Sequence, residues 1–162
     1  MSVIVDTNVA IAANGRDTHA NLDCQLRCVT LLEEVVAVAN ENNVVVDDLG
    51  LMLDEYARHL SYAGQPGTGD MFFKFLHDNL YGQQMIQQVT VTPNTDATRG
   101  FDELPPNSVD PSDRKFLATA VASGALIINA LDTDWHEKRE FIEQVGVEVQ
   151  QVCPEHGCVV PQ

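Results

Sequence analysis

The chain has 162 residues, 44% of them hydrophobic, and its 24 acids against 9 bases leave a net charge of −15. That length holds one domain with a real core rather than two, and it contains no apolar run of about 18 residues that could span a bilayer. A field of that sign repels nucleic acid over the general surface, although divalent cations at a site invert the field locally.

Met1 leads almost directly into a strand, without a basic and then apolar leader, so the cytoplasm is the expected location. Val3-Ile-Val5 has the β-branched composition of a strand buried on both faces. Asp6, Thr7 and Asn8 follow it. Just past the carboxyl end of a strand in an open α/β sheet, such groups stand at the mouth of the ligand crevice. Asp6 therefore reads either as the floor of a pocket or as the N-cap of a short helix, with Asn14-Gly15 ending that helix.

Residues 22–42 carry Leu22, Leu26, Val29, Leu32, Val35, Val36 and Ala39 at helical spacing. Val44, Val45 and Val46 form a second strand. Asp48 is the expected N-cap of a helix over 49–60, whose apolar face uses Leu49, Met52, Leu53, Tyr56 and Leu60. Glu55 falls off that stripe, where it can aim a carboxylate over the sheet edge or remain a solvated acid beside Asp54 and Arg58. The glycine-rich segment 64–70 lacks the Lys-Ser/Thr ending of a phosphate loop and reads as an ordinary loop. Residues 71–80 form an aromatic-rich helix and 89–92 a third strand.

A long aperiodic loop spans 93–109. Asp110-Pro-Ser-Asp113 then opens a helix that buries Phe116, Leu117, Ala120 and Val121 and stops at Gly124, with Ser112 or Asp110 as its cap. A fourth strand at 126–128 ends in Asn129-Ala-Leu-Asp132-Thr-Asp134-Trp135. A last helix over 136–145, ended by Gly146, and a strand with Val147, Val149 and Val152 complete the pattern. The alternation predicts one α/β domain over 1–152, a three-layer sandwich around a mainly parallel sheet of four to five strands, with 153–162 as a C-terminal tail.

Cys24, Cys28, Cys153 and Cys158 are expected to be reduced in a cytoplasmic chain. Cys24 and Cys28 at helical spacing, together with Cys-Pro-Glu-His156-Gly-Cys158, could build a zinc site. The spacings fit no standard zinc pattern, and burial in the core is the other reading.

Asp6, Asp132 and Asp134 follow strands, while Glu55 and Asp113 lie on or open helices, positions that an α/β sheet can bring to one edge. Converging carboxylates repel one another unless a cation joins them, and hard oxygen ligands suit Mg²⁺ or Mn²⁺. In this ordered set the chain resembles the PIN-domain nuclease family. The matching pieces are Val-Ile-Val-Asp6-Thr7-Asn8, Glu55, Asp113-Arg-Lys-Phe-Leu-Ala-Thr-Ala and Asn129-Ala-Leu-Asp132-Thr-Asp134-Trp135.

The resemblance implies a metal-dependent endoribonuclease leaving 5′-phosphate and 3′-hydroxyl ends, of the toxin–antitoxin, defence or RNA-processing kind. It implies a catalytic and metal-binding quartet of Asp6, Glu55, Asp113 and Asp132, with Asp134 as a further metal ligand. Thr7 and Asn8 would support Asp6, and Asp110 is the rival of Asp113. Arg114 and Lys115 are the expected phosphate contacts, or else a solvated helix face. RNA is the implied partner, with an antitoxin or other protein and a homodimer as further options. The chain departs from the family in having Asn129 and Ala130 where a hydroxyl is usual, and in its acidity. Both departures favour the alternative, a PIN-like interaction module with an idle site. A phosphotransfer receiver is disfavoured because no acid pair follows the first strand.

Overall fold

The computed structural model describes residues 2–39, 43–61, 66–81 and 85–158. Within them lie five strands, β1 (Val3–Val5), β2 (Val44–Asp47), β3 (Ile86–Val89), β4 (Leu126–Asn129) and β5 (Val149–Gln151). The helices are α1 (Thr7–Asn14), α2 (Leu22–Ala37), α3 (Leu51–His59), α4 (Thr68–Asn79), α5 (Arg114–Ser123), α6 (Asp134–Glu137), α7 (Arg139–Gln144) and α8 (Pro154–Gly157). All strand pairs are parallel, in the order β3-β2-β1-β4-β5, and helices flank the sheet to make the expected three-layer α/β sandwich.

β-branched side chains explain the centre of the sheet. Ile4, Val45, Val46 and Ile127 have no exposed surface, and β1 pairs with β4 as Val3↔Leu126, Ile4↔Ile127 and Val5↔Ile128. Each such side chain contributes about 1.5–3 kcal/mol when fully buried. The chain proceeds outward from β1 in both directions, so β1 and β4 flank the switch point of the sheet. A crevice opens there beyond their carboxyl ends. Tyr56 anchors α3 against this edge: its ring is buried among Phe72, Phe73 and Phe116, and its hydroxyl donates to the Val5 carbonyl.

Several sequence expectations are corrected. Leu22 and Leu26 are 69% and 55% exposed; α2 buries Leu32 and Val35 as expected, but with Cys24 and Cys28 in place of the two leucines. Leu49 is also exposed. The N-cap of α3 is Gly50, and the carboxylate that serves its first turn is that of Asp47 rather than Asp48, accepting from the N–H groups of Leu49, Leu51 and Met52 at 3.1, 2.9 and 2.9 Å. Asp48 accepts from the Thr90 hydroxyl. The third strand lies three residues earlier than 89–92. Residues 68–70, expected in a loop, form the first turn of α4. The last helix breaks at Lys138 into α6 and α7. The predicted helix end at 40–42 and loop residues 64–65 lie outside the described residues.

The expectation of four free thiols is corrected too. Cys24 and Cys153 form a disulfide with Cα atoms 5.6 Å apart, while Cys28 and Cys158 are free. Cys28 lies beside the bond, buried, and burial pushes its thiol up to about 11. Cys153 is thus cross-linked to α2, and α8 follows it within the segment read as a tail. Among the described residues no helix is long and apolar enough to cross a membrane.

Candidate metal centre

Asp6 is the residue at which β1 becomes α1. Its N–H closes the sheet by donating to the Ile128 carbonyl at 3.0 Å, and its extended backbone lets the side chain accept weakly, at 3.4 Å, from the Asn8 N–H. The cap and the pocket floor are therefore the same residue. One carboxylate oxygen also accepts from the Trp135 indole N–H at 2.6 Å, across 129 positions of sequence.

Asp132 stands in the turn after β4. Asn129, wholly buried, builds that turn: its amide donates to the Asp132 carbonyl at 2.9 Å and to Gln151 at 2.8 Å. Its side-chain oxygen accepts from Asn8 at 2.9 Å and from the Asp132 N–H at 3.2 Å. Asn8 in turn accepts from the N–H groups of Ala130 and Leu131 at 3.0 and 2.9 Å. This lattice locks the ends of β1 and β4 together. The Asn129 amide thus bonds on both sides, to the α1 start and to the turn after β4.

Asp113 immediately precedes α5 and is 8% exposed. It is brought against Asp6 and Asp132, with one oxygen of each carboxyl lying within 4.8 Å of the others. The three face a groove of about 540 Å³ also lined by Thr7, Asn8, Glu55, Arg58, His59, Asp17, Thr18, His19 and Ser112. A larger hollow of about 770 Å³ opens beside α7 and β5, but it gathers no ligand cluster, so size does not choose the site.

The electrostatics follow from burial. Asp6 is pushed up to about 7, first by loss of water and then by the charges of Asp132 and Glu55, against the pull of the Trp135 bond. Burial, with Asp132, Asp6 and Asp134 nearby, raises Asp113 to about 8. Asp132 is raised as well, by burial and then by Asp134. Burial and mutual repulsion thus both favour the protonated form of these acids, and a nearby positive charge would reverse that.

The other expected site residues separate into groups. Glu55 reaches the groove, but its carboxylate is held by the Thr7 hydroxyl and by Lys115 at 2.7 Å, and it stands outside the close cluster. Asp134 donates its N–H to Asp132 at 2.9 Å and adds charge without lining the groove. Asp110 is exposed and bonded to Ser112, which holds its carboxyl below the usual range. Arg114 is buried. Its guanidinium donates to Ala97 O, Thr98 O and both Asn107 oxygens, so it fastens the 93–109 loop and does not face the groove. Trp135 and the groove wall at 17–19 were not picked out from the sequence. The indole lay within a quoted motif, but only the fold shows that it reaches Asp6.

Comparisons with protein-family models, curated proteins and solved structures return no match for this chain. The chemistry of the site is therefore read from its own atoms. The donor set is hard oxygen on three side chains, partly bonded and with free lone pairs, which fits Mg²⁺ or Mn²⁺ and suits no thiophilic ion. The cysteine trio differs, since two of its three sulfurs are bonded to each other.

Proposed function

We propose that this chain is a PIN-like, Mg²⁺- or Mn²⁺-dependent nuclease that hydrolyses RNA phosphodiesters. The observation that carries the reading is the meeting of the buried Asp6 and Asp113 with the half-buried Asp132 in an open groove at the switch point of the sheet. These three carboxylates would hold the cation, which when bound would supply an acidified water and offset charge on the phosphoryl oxygens. Trp135 and Asn8 fix the Asp6 rotamer, and Asn129 fixes the turn that carries Asp132. Glu55 stands beside the cluster as the group that orients a water or takes its proton once a phosphate oxygen draws Lys115 away. A toxin or an RNA-processing enzyme is the finer reading, and the cytoplasm its location. The Cys24–Cys153 bond pulls against that location, because cytosolic disulfides are uncommon.

The competing reading is a binding module with an idle site. It is favoured by the Glu55–Lys115 ion pair and by the overall charge of −15. Mn²⁺-dependent cleavage of single-stranded RNA decides between the two. We expect cleavage by the wild-type chain and none by Asp113→Asn, with unchanged circular dichroism. Full activity in Asp113→Asn would overturn the site assignment.

A further inference from the structure

The proposed site leaves open how so acidic a protein holds a polyanion. Eight of the nine Lys and Arg side chains are engaged within the chain. Arg16, Arg27, Lys74 and Lys115 pair with Asp70, Glu155, Asp78 and Glu55. Arg99 and Arg114 hold loop carbonyls, Lys138 meets the Ser108 hydroxyl, and Arg139 meets the His136 carbonyl. Among the described residues Arg58 is the one such cation without a hydrogen bond or an ion pair.

Its position is informative. Arg58 and His59 form the last turn of α3, exposed, one turn beyond Glu55. Both line the groove of the acidic cluster and also a second recess of about 350 Å³ that reaches Asn14 and Arg16. The two hollows share Ile11, Asp17, Arg58 and His59, so they adjoin across that wall along the edge of α1 and α3. Asp17 is the acid on that wall. The helix C-terminus favours a cation at this point, which accounts for a basic residue here but not for its facing the groove.

We infer that Arg58 is a phosphate-binding subsite of the nuclease, contacting a phosphodiester that neighbours the scissile one. The substrate is a single-stranded polynucleotide that passes from the acidic cluster toward Arg16. This deepens the proposed function and rests on it for the identity of the reacting centre. A guanidinium matches a phosphate with two parallel N–H bonds, which an ammonium cannot reproduce. A single strand can bend one phosphate down to carboxylates that are 5% and 8% exposed while the next lies on the rim.

The test uses a fluorescein-labelled single-stranded RNA 12-mer and a dinucleotide, with wild type, Arg58→Ala, Arg58→Lys and, as a control cation elsewhere, Lys74→Ala. Arg58→Ala is expected to raise KM for the 12-mer about tenfold, equivalent to about 1.4 kcal/mol, with kcat unchanged. Its KM for the dinucleotide stays at the wild-type value. Arg58→Lys recovers only part of the loss, and Lys74→Ala changes nothing. The salt dependence of 12-mer binding by anisotropy falls by about 0.7 in log–log slope, the loss of one single-strand phosphate contact. Cleavage by the wild type with an unchanged 12-mer KM in Arg58→Ala overturns the subsite and leaves the nuclease standing. Binding without cleavage by the wild type, weakened in Arg58→Ala, removes the nuclease and keeps the phosphate contact. Neither binding nor cleavage by the wild type removes both.

Discussion

Two groups of buried acids in this molecule have opposite fates. Asp70, 1% exposed, accepts from the N–H groups of Ser61 and Gly67 at 2.8 and 3.0 Å, from Asn14 at 3.1 Å and from Arg16 at 2.5 Å. Burial would raise its pKa, yet these donors together pull it below the usual range. Asp6 and Asp113 are buried and Asp132 half-buried, with far fewer donors and beside one another, and all three are raised. A structural acid is surrounded by donors. The acids of the candidate site have been left short of them.

That contrast predicts opposite responses to neutralisation. In Asp6→Asn a negative oxygen ligand is lost, so Mn²⁺ affinity and cleavage collapse, beyond the roughly 10–100-fold cost of losing an outer-shell partner, while relief of carboxylate repulsion holds or raises the melting temperature. Asp70→Ala does the reverse. It leaves the Ser61 and Gly67 backbone donors and the Asn14 amide without this acceptor, and a denaturant titration should show a loss of about 2–5 kcal/mol. Equal destabilisation by the two substitutions would show that the two sets of acids do not differ in this way.

Cys153→Ser comes next. The Cys24–Cys153 bond closes a loop spanning 129 positions, and its removal should cost about 2–5 kcal/mol. The same loss should follow treatment of the wild type with a dithiol, and the site acids should keep their metal affinity.

The pH response is the smallest effect. Asp6 and Asp113 titrate in the folded chain near 7 and 8, against about 3.9 unfolded. The folded state therefore holds more protons between those values. The stability from this source is complete below about pH 4 and is lost as pH rises through 7 to 8. Thermal melts of the metal-free chain should fall over that window, and Mn²⁺ should reverse the fall. In Asp6→Asn the slope should be shallower.

Much of this was legible in the chain. Buried strands announce themselves by β-branched runs, which is why β1, β2 and β4 were located closely, and acids placed directly after them had to fall at one sheet edge. β3 was displaced because an edge strand needs only one apolar face. Its Ile-Gln-Gln-Val is less strand-like by composition than the Val-Thr-Val-Thr that follows. Contacts between distant residues were not legible. Nothing local says that the Trp135 indole reaches Asp6, or that Arg114 turns into the 93–109 loop while Lys115, next to it, turns to Glu55. Leu22 and Leu26 outside, with Cys24 and Cys28 inside, shows that hydropathy marks a helix more surely than the face it buries.

The account turns on whether the under-bonded acids are a cation site. Mn²⁺ titration by calorimetry of wild type and Asp6→Asn, side by side, asks this most directly. Saturable binding to the wild type that is lost in Asp6→Asn is the predicted result. No binding to the wild type, or equal binding to both, would contradict it.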